Sequence, residues 1–316
     1  MNIGKIIVGI LITAFFVSGC STYKNIPKLQ QMSDLQYKYP VKYVELNNNV
    51  NLAYVDMGKG DKTLILIHGL GSYSPAWNQN IDELSKFYRI IAVDLPGYGK
   101  SSKIPHSGKM TYYGEVIMDL IDKLNLKNVS IAGHSMGGQI AITIALQFPD
   151  KIEKLILVDP AGFEDFHPGQ RKWFKDVMTP NLVRLTTVES IETNLATNFY
   201  NMPKSAQFMI DDRIAIRTAK DFDAYCLAVS RSVAGMVDEP VVSKLKDIKV
   251  PTLIFFGRDD MLIPNRYLNP GFTKDIAEFG DSQIKNSKLI MVPKCGHFMM
   301  FEKPQVFNEE VLNFIK

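Results

Sequence analysis

The sequence predicts an α/β fold: a mainly parallel, doubly wound sheet with a helical cap inserted after the sixth strand. Three observations carry that expectation. Short continuous apolar runs alternate with stretches of helical spacing, the pattern of strands buried on both faces and the helices that cross between them. One interval, between Asp159 and Val250, breaks the rhythm with helical spacing and no strong strand signal. Most apolar runs also end in Gly, Asp, His or Ser, at the strand ends where open α/β sheets place their sites.

Composition sets the outer bounds. The chain has 316 residues, 46% hydrophobic and 22% charged, an ordinary globular composition with length for a large core. Net charge is +3 and no long basic run occurs, so nucleic acid is not implied as a partner.

The first segment has its own logic. Met1 to Lys5 is short and weakly basic, Ile6 to Val17 is apolar, and Val17-Ser18-Gly19-Cys20 closes the run with small residues. The run is shorter than the roughly 20 residues a spanning helix needs, so it reads as a signal peptide. Val17-Ser18-Gly19-Cys20 resembles the lipobox of bacterial lipoproteins. That resemblance implies removal of residues 1–19, lipid attachment at Cys20 and a place in the cell envelope. Several acyl chains would make the membrane a stable partner. Ser21 after the cysteine points to the outer membrane in a diderm bacterium. Residues 20–40 are polar, carry Pro27 and Pro40, and read as a tether. Cys226 and Cys295 read as buried free thiols rather than a disulfide.

The body of the domain follows in order, with a core expected over 41–160 and 246–316 and the cap over 161–245. Val41 to Leu46 alternates, Asn47-Asn48-Asn49 is a turn signal, and Val50 to Val55 returns as the second arm of a hairpin. Thr63–Ile67, Arg89–Val93, Val129–Ala132, Leu155–Val158, Thr252–Phe256 and Lys288–Val292 are the apolar runs expected as buried strands. Val116, Ile117, Leu120, Ile121 and Leu124 share one helix face, as do Phe307, Val311 and Phe314. In the cap, Trp173, Phe174 and Val177 mark one helix and Ile214 to Val233 another.

The chemistry concentrates after the strands. Gly133-His134-Ser135-Met136-Gly137-Gly138 lies between an apolar run and a helical pattern, the context in which G-x-S-x-G forms a nucleophile elbow. Such a turn strains Ser135, and a Cβ at Gly133 or Gly137 would strike its opposite arm. A serine hydroxyl needs a base. Of five histidines, His68 and His134 flank glycine turns and read as loop-orienting. His106 and His167 read as surface residues. His297 is left, past the last strand. Its imidazole needs a carboxylate, and position alone leaves Asp259 and Asp260 open, with Asp159 a lesser alternative. Asp94 sits in an Asp-Leu-Pro-Gly turn and reads as structural.

Taken together, His68-Gly69, Asp94-Leu95-Pro96-Gly97-Tyr98-Gly99, Gly133 to Gly138, Gly257-x-x-Asp260 and Gly296-His297 resemble the α/β-hydrolase superfamily in content and order, over residues 41–316. The resemblance implies a catalytic set of Ser135, Asp260 and His297, in the family order of Ser, acid, His. It implies the backbone N–H groups of Leu70 and Met136 as the oxyanion hole. Leu70, Trp77, Met136, Met261, Phe298, Met299 and Met300 surround these positions and favour an apolar acyl or aromatic substrate. The expected activity is cleavage of carboxylic esters through an acyl-enzyme, of the carboxylesterase or lipase type. Carbon–carbon bond hydrolysis, acyl transfer or perhydrolysis on the same residues is the alternative, and a non-catalytic binding lipoprotein a distant one. No metal-binding spacing or dinucleotide loop appears, so neither metal nor cofactor is expected.

Overall fold

The computed structural model describes residues 26–316. The segment expected as a signal peptide and the expected lipid site at Cys20 lie outside the described residues. Among the described residues no helix is long and apolar enough to cross a membrane.

Eight strands form one sheet in the order β1-β2-β4-β3-β5-β6-β7-β8. They are β1 (Val41–Glu45), β2 (Asn51–Met57), β3 (Thr63–Ile67), β4 (Arg89–Val93), β5 (Val129–His134), β6 (Lys154–Val158), β7 (Thr252–Gly257) and β8 (Ser287–Val292). The β1–β2 hairpin is antiparallel, and so is the β2–β4 pairing. Every later pairing is parallel. At the hairpin turn Asn48 and Asn49 take φ of 57° and 60°, a left-handed conformation that asparagine tolerates better than most residues.

Between β3 and β6 run α1 (Ile81–Leu84), α2 (Met110–Lys123) and α3 (Met136–Gln147). Strand alternation sorts the core into two layers. Ile65, Ile67, Ile131, Leu155 and Ile254 pack with Ile117 of α2 and Ile140 of α3 on one face. Leu64, Leu66, Ile156, Leu253 and Phe255 pack with Trp77 and Phe307 on the other. That double coverage explains why these strands read as unbroken apolar runs. Strand β8 departs from the expectation: it ends the sheet, and most of its residues are only half-buried.

Between β6 and β7 lie five helices: α4 (Pro168–Val177), α5 (Pro180–Leu185), α6 (Val188–Thr197), α7 (Gln207–Ala215) and α8 (Phe222–Asp238). The single helix expected over Ile214 to Val233 is in fact two, broken by a 3₁₀ turn at Ile216–Thr218. Trp173, Phe174 and Val177 lie on α4 as expected, with Trp173 and Val177 exposed. The chain finishes with α9 (Thr273–Gln283), α10 (Met299–Glu302) and α11 (Pro304–Ile315).

The expected tether needs correction. Its described part is packed on the domain, with Met32, Leu35 and Tyr39 buried. Met32 N–H donates to Asp221 Oδ1 at 3.0 Å and Tyr37 Oη–H to Asp94 Oδ2 at 2.7 Å. Among the described residues, Cys226 and Cys295 are free and buried.

Candidate active site

Parallel strands deliver their carboxyl ends to one edge of the sheet, and the chemistry collects there. Strand β5 stops at His134, and Ser135 follows at φ 53°, ψ −119° before α3 begins. That is a left-handed conformation worth about 1–3 kcal/mol of strain for a residue with a side chain. The turn is tight enough that a Cβ on Gly133 would meet Gly137 O at 2.1 Å, and one on Gly137 would meet Ile67 O at 2.4 Å. Only glycine fits either place.

His297 reaches the same edge from the loop after β8. Its Nδ1 lies 2.7 Å from Asp260 Oδ2, and both side chains are buried. The other oxygen of Asp260 accepts the N–H groups of Leu262 at 2.7 Å and Ile263 at 3.2 Å. The carboxylate is thus fixed before it meets the ring, and Nδ1–H is the tautomer it selects. Asp259 is only part-buried and makes no bond to His297. Gly257 allows β7 to approach the histidine loop, since a Cβ there would meet Gly296 O at 2.1 Å. The geometry therefore joins Asp260 and His297. No hydrogen bond links Ser135 Oγ to His297; both line one cavity of about 350 Å³. Bonds of this kind often tighten only around substrate.

The backbone donors are in place. Leu70 lines the same cavity, and Met136 opens α3 beside Ser135. Among the described residues neither N–H has a hydrogen-bond partner. Two free amides beside the nucleophile, one at a helix N-terminus, can receive a developing oxyanion.

The other histidines divide. His68 Nδ1–H donates to Gly69 O at 2.8 Å while Nε2 accepts Leu95 N–H at 3.0 Å, stitching the Leu70 loop to the turn after β4. Burial lowers its pKa, which suits this neutral form. His134 Nε2–H donates to His297 O at 2.8 Å, so the residue beside Ser135 holds the backbone of His297. His167 is exposed and caps α4. His106 is not a surface residue as expected: it stacks on Tyr112 with ring centroids 4.9 Å apart, and burial lowers its pKa to about 4. Asp94 accepts Ser74 N–H and Lys100 N–H, each at 2.7 Å, as a turn organiser should.

Two carboxylates that the sequence places near the site, Glu302 and Asp159, serve as supports. Glu302 accepts the N–H groups of Gly296, Tyr200 and Asn201, tying the histidine loop to the cap. Asp159 is buried at the end of β6 and accepts Gly257 N–H at 2.7 Å. Burial, and then the Asp260 charge, raise its pKa well above the usual carboxylate range. Asp159, Asp260 and His297 bring possible ligand atoms within 4.8 Å of one another. The Asp260–His297 separation of 2.7 Å is that of a hydrogen bond. Two metal bonds of ~2.0 Å at a tetrahedral angle would hold their atoms roughly 3.3 Å apart, so the cluster does not fit a metal.

Of the apolar residues expected around the site, Leu70 and Phe298 line the cavity. Trp77, Met136, Met299 and Met300 are core, and Met261 is 41% exposed. The cavity wall is completed by cap and loop residues that were not among those expected around the site, including Phe166, Phe174, Val233 and Met236. Glu164 lines it too, its pKa pushed up to about 7 by burial.

A serine on a strained strand–helix turn, a buried His–Asp pair and two free amides on one cavity define a nucleophile-elbow fold of the hydrolase class. A family model described as alpha/beta hydrolase fold matches residues 62–304, and the chain belongs to that family. A curated relative, 2-hydroxy-6-oxononadienedioate/2-hydroxy-6-oxononatrienedioate hydrolase 1 of Pseudomonas putida, is 27% identical over 90% of this chain and 99% of its own. Among solved structures, a probable hydrolytic enzyme from Pseudomonas aeruginosa superposes with a TM-score of 0.81 at 24% identity, covering 92% of this chain and 99% of that one. An esterase from Exiguobacterium antarcticum gives 0.73 at 21% identity, over 87% and 98%.

Proposed function

We propose that the chain is a serine hydrolase that cleaves carboxylic esters of apolar acyl groups through an acyl-enzyme. Ser135 Oγ attacks the carbonyl carbon as His297 Nε2 takes its proton. The Leu70 and Met136 amides hold the oxyanion. The imidazolium, stabilised by Asp260, then protonates the leaving alcohol, and water repeats the sequence to release the acid. The observation that carries this reading is the 2.7 Å His297–Asp260 bond on the cavity that also holds Ser135.

A second reading is carbon–carbon bond hydrolysis, and the curated relatives favour it, since their named reaction is of that kind. The cavities favour the ester. A dicarboxylate such as the relatives' substrate calls for cationic partners. The catalytic cavity has no Lys or Arg on its wall and carries Glu164 and Asp165. The adjoining chamber holds one cation, Arg213, whose guanidinium is bonded to Gly71 O. We also propose, from Val17-Ser18-Gly19-Cys20, that the chain is lipid-anchored at Cys20; labelled palmitate should enter the wild type and not Cys20→Ser.

The test of function is turnover of short p-nitrophenyl esters against a vinylogous diketone acid, in wild type and Ser135→Ala. Ester turnover lost by at least about 10⁴-fold in the variant, with little diketone cleavage, is the expected result. Undiminished ester turnover in folded Ser135→Ala would overturn the mechanism. Efficient diketone cleavage would move the assignment to the second reading.

A further inference from the structure

Residues 29–37 form a strap across the joint between cap and sheet. Leu29 N–H donates to Thr218 Oγ1 at 2.8 Å, Lys220 N–H to Gln30 O at 3.0 Å, and Met32 N–H to Asp221 Oδ1 at 3.0 Å. All three links reach the break between α7 and α8. Asp34 braces the strap from within, accepting the N–H groups of Gln30 and Gln31, each at 3.0 Å. Tyr37 then fastens it to Asp94 at 2.7 Å. Between these anchors Met32 is 1% exposed and Leu35 3%.

Those two side chains face a chamber of about 580 Å³ lying under the cap. Its wall also includes Leu70, Leu195, Met209, Ile216 and Val229. Leu70, Ser72, Asn194, Asn198 and Phe298 border both this chamber and the catalytic cavity. The two spaces therefore meet at the residue whose amide faces the oxyanion. A volume of this order suits a small-molecule site, and its wall is mainly apolar. The strap precedes the residues matched by the family model, which begin at 62.

We propose that the chamber is the acyl-chain site and that the strap is its specificity wall, with Met32 and Leu35 setting the length of unbranched chain accepted. This rests on the ester-hydrolase reading. The carbonyl at Ser135 places its oxygen at the Leu70 and Met136 amides, and the chain extends past Leu70 toward the strap. Methionine suits such a wall because its flexible thioether adapts to the chain end.

Chain length is the readout. The ratio of kcat/KM on p-nitrophenyl decanoate to that on the butyrate is measured in wild type, Leu35→Trp, Met32→Val and Leu35→Val, with folding checked by melting temperature. Each methylene the chamber buries is worth roughly fourfold in kcat/KM. Leu35→Trp should lower the ratio by at least about tenfold, the loss of two or so methylene contacts on that scale. The smaller side chains should move the preferred chain toward longer esters. Should the bulky variant not fold, the two valine variants carry the test alone. Graded alkyl fluorophosphonates reacting with Ser135 give a second measure that does not depend on turnover. An unchanged chain-length profile in the folded variants would overturn the strap assignment while leaving the ester-hydrolase reading intact. Wild-type protein that neither turns over esters nor reacts with fluorophosphonate would instead remove that reading.

Discussion

Asp159 offers a quantitative test of the site's electrostatics. Its carboxyl is fully buried, with one oxygen on Gly257 N–H and the other without a hydrogen-bond partner. Burial and the neighbouring Asp260 raise its pKa well above that of a free aspartate. The unfolded chain releases this proton near pH 3.9. Above that value the folded chain keeps a proton the unfolded chain has lost. Its contribution is most favourable below the unfolded pKa and is progressively lost as pH rises toward the folded one. For one proton the slope is about 1.4 kcal/mol per pH unit. Asp159→Asn keeps the oxygen that accepts from Gly257 and cannot ionise. As pH rises above the unfolded value the variant should therefore gain on the wild type, by at most about 1.4 kcal/mol per pH unit. Urea unfolding of both proteins at pH 5, 6 and 7 measures this, with equal m-values showing that the same transition is compared. Taking the difference removes the titrating groups that do not interact with Asp159. Stability curves that stay parallel across this range would refute the protonated Asp159.

Three further outcomes test the frame. Asp260→Asn should lower ester turnover by about 10⁴-fold, as loss of the orienting acid does elsewhere, while Asp259→Asn should change it little; steady-state kinetics on both variants decides between them. Gly133→Ala should cost at least about 3 kcal/mol, at or beyond the upper end of ordinary overpacking, because its Cβ would meet a backbone carbonyl at 2.1 Å; soluble yield and melting temperature report it. Phe307→Ala, removing a ring packed on Trp77 and Phe255, should destabilise by about 3–5 kcal/mol in urea titration with Ser135 still reactive toward fluorophosphonate.

Much of the fold is legible because double burial writes itself as unbroken apolar runs. Strand β8 shows the limit: Lys288 to Val292 reads like its neighbours, yet nothing in the run says that no strand pairs beyond it. Position narrows the partner of His297 to Asp259 or Asp260, two carboxylates on one short turn, and only the family resemblance of Gly257-x-x-Asp260 points to the second. The strap could not be anticipated. Met32 and Leu35 stand among polar residues, too few for a periodic signal, and the bonds that Leu29 and Met32 make reach 189 positions away, to Thr218 and Asp221. His106 reads as a surface residue because part of its cover, Arg231 of the cap, lies 125 positions away. The cap helices were located but not divided, because a 3₁₀ break leaves hydrophobic spacing almost unaltered.

The backbone at Ser135 has a consequence for anyone who selects this protein for robustness. Its φ of 53° costs a side-chain-bearing residue about 1–3 kcal/mol, and glycine would relieve this while giving back roughly 0.5–1 kcal/mol in unfolded-chain entropy. The exchange ranges from about neutral to favourable for folding and removes the hydroxyl. A library screened by heat alone would therefore accept a chain without that hydroxyl as readily as one with it, and often prefer it. Position 135 is where a thermostability screen needs an activity gate.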